Sequence, residues 1–183
     1  NRLNTMANLL TVVRLLLIFP FVFLMTRTDA FSATIAGIIF VLAVVSDVVD
    51  GPIARRRGTV TERGRAADHT ADFLLVTCGL MAGATRGVFP WILPILIAVA
   101  FVQYVVDSYW LHRQRRLRMS QLGRWNGILY FVPLGGDILI RLGLGFLEPL
   151  LLPVCGALVV STLLSIGDRL AALYHQDTEQ LPL

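Results

Sequence analysis

Apolar residues in this chain come in runs long enough to cross a lipid bilayer as helix, and that feature constrains its fold more than any other. The runs are Leu9–Met25, Phe31–Ile53, Phe73–Ala84, Val88–Leu111, Gly127–Gly145 and Leu147–Ile166. About 20 apolar residues span the hydrocarbon core as helix. The third run reaches that length if the turns Ala66–Asp72 form its polar end. Composition points the same way: 56% of residues are hydrophobic and only 15% charged. A soluble domain is usually about 45–50% apolar and about 25% charged, so a soluble enzyme is disfavoured and a disordered or collagen-like chain is excluded. The expectation is an all-α integral membrane protein, a six-transmembrane-helix bundle. Residues 1–173 form a single membrane domain and 174–183 a C-terminal tail. The first run has no small-residue cleavage site after Met25, so it does not resemble a cleaved secretory signal.

Loop charge sets the expected topology. The segment Arg55–Arg65 carries Arg55, Arg56, Arg57, Arg63 and Arg65, and the segment Arg113–Arg124 carries Arg113, Arg115, Arg116, Arg118 and Arg124. The alternate connections carry Arg27, Arg86 and Arg141, one each. Basic residues accumulate on the cytoplasmic side of membrane proteins, so both basic segments and both termini are expected in the cytosol, the chain lying in the cell (inner) membrane. The pI of about 9.7, which in a soluble protein would suggest nucleic acid, is read here as that loop bias; no nucleic-acid partner is expected. Cys78 and Cys155 both lie in apolar runs, as small core residues do.

Ionisable residues at membrane depth are costly and point to function. The densest set straddles the first basic segment: Asp47, Asp50, Asp68 and Asp72. Spacings of three and four put each pair on one face of a helix. Four facing carboxylates repel one another unless cations sit among them. Hard divalent cations with oxygen ligands, Mg²⁺ or Mn²⁺, suit such a set. Two of them side by side form the usual clamp for phosphoryl transfer. The bland alternative is that each Asp pairs with a neighbouring Arg at the interface; Asp47 and Asp72 adjoin apolar runs, where simple solvation is poor.

The stretch Asp47-Val-Val-Asp50-Gly51-Pro-Ile-Ala54-Arg55, then eight residues, Gly64, three residues, Asp68, three residues and Asp72 resembles the CDP-alcohol phosphotransferase motif, D-x2-D-G-x2-A-R-x8-G-x3-D-x3-D, at every fixed position and spacing. The style is closest to the bacterial phosphatidylglycerophosphate and phosphatidylinositol-phosphate synthases. The resemblance implies a CDP-linked lipid such as CDP-diacylglycerol as donor, a hydroxyl acceptor, and release of CMP in phospholipid biosynthesis. It implies two metal ions on Asp47, Asp50 and Asp68, completed by Asp72, which is the candidate general base. Gly51 and Ala54 would allow close approach of the nucleotide, Gly64 close packing, Arg55 a contact near the diphosphate, and Thr61 a nucleotide hydrogen bond. The cavity is expected to be polar and open to the cytosol, and members of the family are commonly homodimers. Upstream, Asn8-Leu-Leu-Thr11-Val-Val-Arg14 is similar to an N-terminal element of phospholipid-synthesising members. It can be read as a polar lid on the CDP moiety, or as an N-cap Asn with an Arg snorkelling to headgroups. Many synthases in these groups carry Lys or Arg directly after the last Asp, where this chain has Phe73, and Pro or Ser where it has His69.

The acceptor is sought on the fourth and fifth runs. Gln103, Asp107 and Gln114 recur at helical spacing, and Asn126 and Tyr130 follow Arg124. Asp107 could hold hydroxyls and Arg113 or Arg124 a phosphate, pointing to a phosphorylated polyol such as glycerol 3-phosphate or inositol phosphate. The competing reading is hydrogen bonding between helices. Asp137 and Arg141, four apart near the opposite end, read as a structural ion pair. Two rival functions use clustered carboxylates: an intramembrane Asp-rich prenyltransferase, which generally has more spans and another Asp spacing, and a cation transporter, for which no inverted repeat is evident.

Overall fold

The computed structural model describes the backbone of residues 2–56, 62–111 and 121–178 and the side chains of residues 12–46, 69–106 and 123–171. The described residues form seven α-helices and no strand: α1 (Arg2–Met25), α2 (Ala30–Arg56), α3 (Glu62–Thr85), α4 (Ile92–Leu111), α5 (Gln121–Leu129), α6 (Phe131–Arg141) and α7 (Glu148–Thr178), with one 3₁₀ turn, Gly145–Leu147, before α7. The polar Ala66–Asp72 turns are continuous with the apolar part of α3, as the third run required.

Helix ends follow local chemistry. Asp29 caps α2: its carboxylate accepts the Ser32 amide and the Ser32 hydroxyl, both at 2.8 Å, satisfying donors the first turn leaves open. The Ser32 bonds hold the Asp29 carboxyl below its usual range. α3 and α6 end alike. Gly87 at φ +76° and Gly143 at φ +110° take the left-handed conformation that suits glycine. Their amides bond Ala84 and Ile140, while those of Val88 and Leu144 reach back to Gly83 and Leu139, closing the last turns.

The fifth run departs from expectation. It is two helices that break at Tyr130, and α6 stops at Arg141 rather than continuing to Gly145. Pro133 accounts for the break, since its ring opposes the carbonyl of Leu129 and it has no amide to donate. The sixth run continues as helix to Thr178, taking in residues 174–178; residues 179–183 lie outside the described part. Among the described residues one stretch, Gly145–Ala171, is long and apolar enough to cross a membrane. Val12–Met25, Ala30–Ser46 and Ile92–Val106 are shorter apolar stretches of helices that are 24, 27 and 20 residues long.

α1 packs on α2 and α3, and α6 packs on the same two helices from its own side, so α1 and α6 together bridge α2 to α3. α4 joins α3 to α7, and α7 also covers α5 and α6. Phe21, Met25, Leu80, Leu93, Leu134 and Cys155 are fully buried. Gly79 permits a close approach between helices, for a Cβ there would sit 2.8 Å from the Phe21 ring and 3.1 Å from Leu134. Outside, the surface is apolar: Phe19 and Phe31 are 76% and 75% exposed, with Leu16, Leu152 and Leu164 beyond 60%. Arg14, Asn126, Asp137 and Thr162 are buried instead. A soluble monomer rarely exposes so much contiguous apolar surface.

Candidate functional site

The four motif carboxylates lie on two helices, Asp47 and Asp50 near the end of α2 and Asp68 and Asp72 in the first half of α3. Gly51, Ala54 and Arg55 are on the last turns of α2, and Gly64 is inside the first turn of α3. Asn8 and Thr11 are on α1. Thr61 lies outside the described residues, as do the side chains of Asn8, Thr11, Asp47, Asp50, Ala54, Arg55 and Asp68. Asp72 is the member of the set whose surroundings are described.

Asp72 opens into a small cleft lined by Arg14, Leu17, Ile39, Ala43, Ala71 and Leu75. Among the described residues that line it, Arg14 is the charged one besides Asp72. Arg14 comes from α1, and its Nε donates to the Ser46 hydroxyl of α2 at 3.1 Å. Its Nη1 stands 3.9 Å from Asp72 Oδ1, an ion-pair distance beyond hydrogen-bond range. The guanidinium is 8% exposed and the carboxylate 23%. Arg14 therefore does not snorkel to headgroups; it turns inward and ties α1, α2 and α3 together one residue before Asp47. Ser46 in turn donates to the Ala43 carbonyl at 3.0 Å. Directly after Asp72, Phe73 stacks on Phe101 of α4 with ring centroids 3.8 Å apart and planes 4° apart. At the position where the motif resemblance leads to the expectation of a cation, this chain builds an α3–α4 contact. His69 is exposed.

The donor set suits hard divalent cations. It consists of carboxylates alone, paired at one-turn spacing on two helices held by common neighbours, and one of them, Asp72, is only partly covered. Nitrogen and sulfur donors that would favour softer metals are absent from the motif. Among the described side chains, which exclude three of the four Asp, no group of three or more His, Cys, Asp or Glu is assembled.

The residues proposed for an acceptor are not brought together among the described ones. Asp107 is in the last turns of α4 with its side chain outside the described part; Arg113 lies outside altogether. Arg124, on α5, is exposed. Asn126 and Tyr130 join helices instead. Asn126 Oδ1 accepts from Ser161 at 2.6 Å, and the Tyr130 and Thr162 hydroxyls share a bond of 2.7 Å, fastening α5 to α7. Among the described residues the Gln103 amide is buried without a partner. At the other end of the bundle Asp137 pairs with Arg141 Nε at 3.4 Å, as expected, and also with Arg86 Nη2 at 2.5 Å. Arg86 also donates to the Met25 carbonyl at 2.7 Å, and Arg141 to those of Leu24 and Arg27 at 3.2 and 2.9 Å. Cys78 and Cys155 are free thiols within the helices.

Similar proteins support the reading of the motif. A Rickettsia typhi protein named CDP-diacylglycerol--glycerol-3-phosphate 3-phosphatidyltransferase is 34% identical over 42% of this chain and 43% of its own length. A Mycobacterium tuberculosis protein named "Probable phosphatidylglycerophosphate synthase" is 32% identical over 52% of this chain and 47% of its own. A Mycobacterium bovis protein named for cardiolipin synthesis is 31% identical over 68% and 59%. The chain thus spans less than half the length of the first two. The family model for CDP-alcohol phosphatidyltransferase matches residues 4–166, which takes in the N-terminal element, both motif helices and most of α7. With the complete carboxylate motif on α2 and α3, the chain belongs to the CDP-alcohol phosphatidyltransferase family.

Proposed function

We propose that this chain is an integral membrane enzyme that transfers a phosphatidyl group from CDP-diacylglycerol to a phosphorylated polyol and releases CMP. The observation that carries the reading is the complete motif, with its carboxylates on two helices bridged by α1 and with Asp72 half-open beside a buried Arg14. The apolar exterior fits a bilayer as solvent. In this reading six spans cross the cell (inner) membrane, α5 and α6 together making the fifth, with both termini, the basic segments and a polar cavity on the cytosolic side. The active form is a homodimer.

Asp47, Asp50, Asp68 and Asp72 hold two ions, Mg²⁺ or Mn²⁺. When bound, these neutralise the diphosphate and the charge that develops on the departing CMP. Asn8, Thr11, Gly51, Ala54, Arg55, Thr61 and Gly64 receive the cytidine and diphosphate. The Asp72 carboxylate accepts the proton of the acceptor hydroxyl as its oxygen bonds to the phosphorus bearing the diacylglycerol. The bond from that phosphorus to the CMP oxygen breaks, and CMP leaves as a stable anion. Asp107, Arg113 and Arg124 bind the acceptor. Glycerol 3-phosphate ranks ahead of inositol phosphate, in keeping with the names of the Rickettsia and Mycobacterium tuberculosis relatives.

The test is CMP release by the purified protein from CDP-diacylglycerol, offered glycerol 3-phosphate, inositol phosphate, inositol, serine or glycerol. Release with a phosphorylated acceptor, abolished by excess EDTA and restored by Mg²⁺ or Mn²⁺, is expected. Full activity in excess chelator overturns the metal assignment. Equal use of glycerol and glycerol 3-phosphate overturns the acceptor assignment.

A further inference from the structure

We propose that Arg14 is a positioning residue for Asp72, itself oriented by Ser46. This rests on the reading of Asp72 as the group that accepts the acceptor's proton. Three observations carry it. Arg14 is 8% exposed while Asp72 keeps 23%, so the carboxylate, not the guanidinium, reaches the open end of the cleft. The guanidinium is fixed on one edge, its Nε bonded to Ser46 and its Nη1 facing Asp72 Oδ1. A planar multi-donor fork holds two partners at a set angle, which an ammonium does not. The surrounding walls are Leu17, Ile39, Ala43, Ala71 and Leu75, apolar groups among which a charge pair is felt more strongly than in water.

The arrangement has a consequence for the whole carboxylate set. Ser46 adjoins Asp47 and is one turn from Asp50 on α2, and Asp72 is one turn from Asp68 on α3, so the two partners of Arg14 lie within a helical turn of the other three motif positions along their own helices. Through one guanidinium, α1 biases the orientation of the Asp72 carboxylate by charge and links α2 to α3. Small errors in such geometry lower turnover by as much as about 100-fold without removing any reacting group.

The experiment compares Ser46→Ala, Arg14→Lys and Arg14→Gln in the full chain, measuring CMP release with CDP-diacylglycerol and glycerol 3-phosphate. Arg14→Gln is expected to lower kcat about 10- to 100-fold with the donor KM within about twofold of the parent, since uniform binding is untouched. Arg14→Lys should recover part of the loss, and Ser46→Ala should lower kcat less than Arg14→Gln. Adding Ser46→Ala to Arg14→Gln should change nothing further. A second readout needs no turnover: in EDTA, the losses in Tm from Arg14→Gln and Asp72→Asn should fail to add, as contacting partners do. An Arg14→Gln variant with a raised donor KM and parental kcat would make Arg14 a diphosphate ligand and overturn the proposal. So would a parental kcat in both Arg14→Gln and Ser46→Ala, or additive Tm losses. Absence of CMP release by the parent protein would instead remove the functional reading beneath it.

Discussion

Asp72 sits between two different neighbours, the buried guanidinium of Arg14 on one side and the open end of the cleft on the other. If it is the base, Asp72→Asn should leave CDP-diacylglycerol binding nearly intact and lower turnover by about 100-fold or more, the usual worth of a positioned base. Asp47→Asn should instead weaken binding of the metal and the CDP-lipid together with rate. Titration of both variants with CDP-diacylglycerol separates the two. Equal loss of donor binding would make Asp72 chiefly a metal ligand. At this scale the carboxylates were legible in the sequence because chemistry fixes residue type and spacing together. The inward turn of Arg14 was not. Its partners are 32 residues away at Ser46 and farther at Asp72, and an Arg on a membrane helix is equally able to reach outward to headgroups. Phe73 likewise read as the lack of a cation, when it is half of a ring stack whose other half, Phe101, belongs to another helix.

Among elements, the helices were legible as apolar runs, and Pro133 was the available signal for the break between α5 and α6. What the runs could not supply was how that break is held. The Tyr130–Thr162 and Asn126–Ser161 bonds join positions with no shared periodicity, so polar side chains there suit an acceptor pocket as well as a helix seam. At the start of α2 the sequence supports a pH prediction. Asp29 has its folded pKa held down by Ser32. A depressed carboxyl contributes stability above its unfolded pKa and loses it as pH falls through the folded value. The Asp29 cap should therefore be fully present at neutral pH and disappear in the acid range. Asp29→Ala should lower Tm at pH 7 and converge with the parent as pH falls through the depressed folded pKa of Asp29, below which both its folded and unfolded forms are protonated. A Tm difference that persists unchanged into strong acid would show that the cap acts through something other than the carboxylate's charge.

Across the described residues large apolar side chains face outward as well as inward, and a dense buried charge group there is Arg86–Asp137–Arg141, at 9%, 3% and 6% exposure. Removing the shared anion leaves two guanidinium groups without their partner. Asp137→Asn is therefore expected to destabilise the protein by about 3–5 kcal/mol, the range for breaking a buried pair. Reversible unfolding in detergent would measure it, and a loss below about 1 kcal/mol would mean that interfacial water already screens the group. The Asp137–Arg141 half of this cluster was legible at helical spacing; Arg86, 51 residues from Asp137, was not, because nothing local records a partner at that distance. The cluster also sets a clock. The carbonyls that end α1 at Leu24 and Arg27 are bonded by Arg141, 117 and 114 residues later in the chain. At about 5–20 residues per second, ribosomes reach Arg141 roughly 6 to 23 seconds after making that end of α1. For that interval those two carbonyls lack Arg141, and the Arg86 bond to the Met25 carbonyl is the earlier tie between that end of α1 and a later residue. A nascent chain cut short before α6 therefore holds every residue of the nucleotide motif and still lacks the second of the two arginines that brace the end of its first helix.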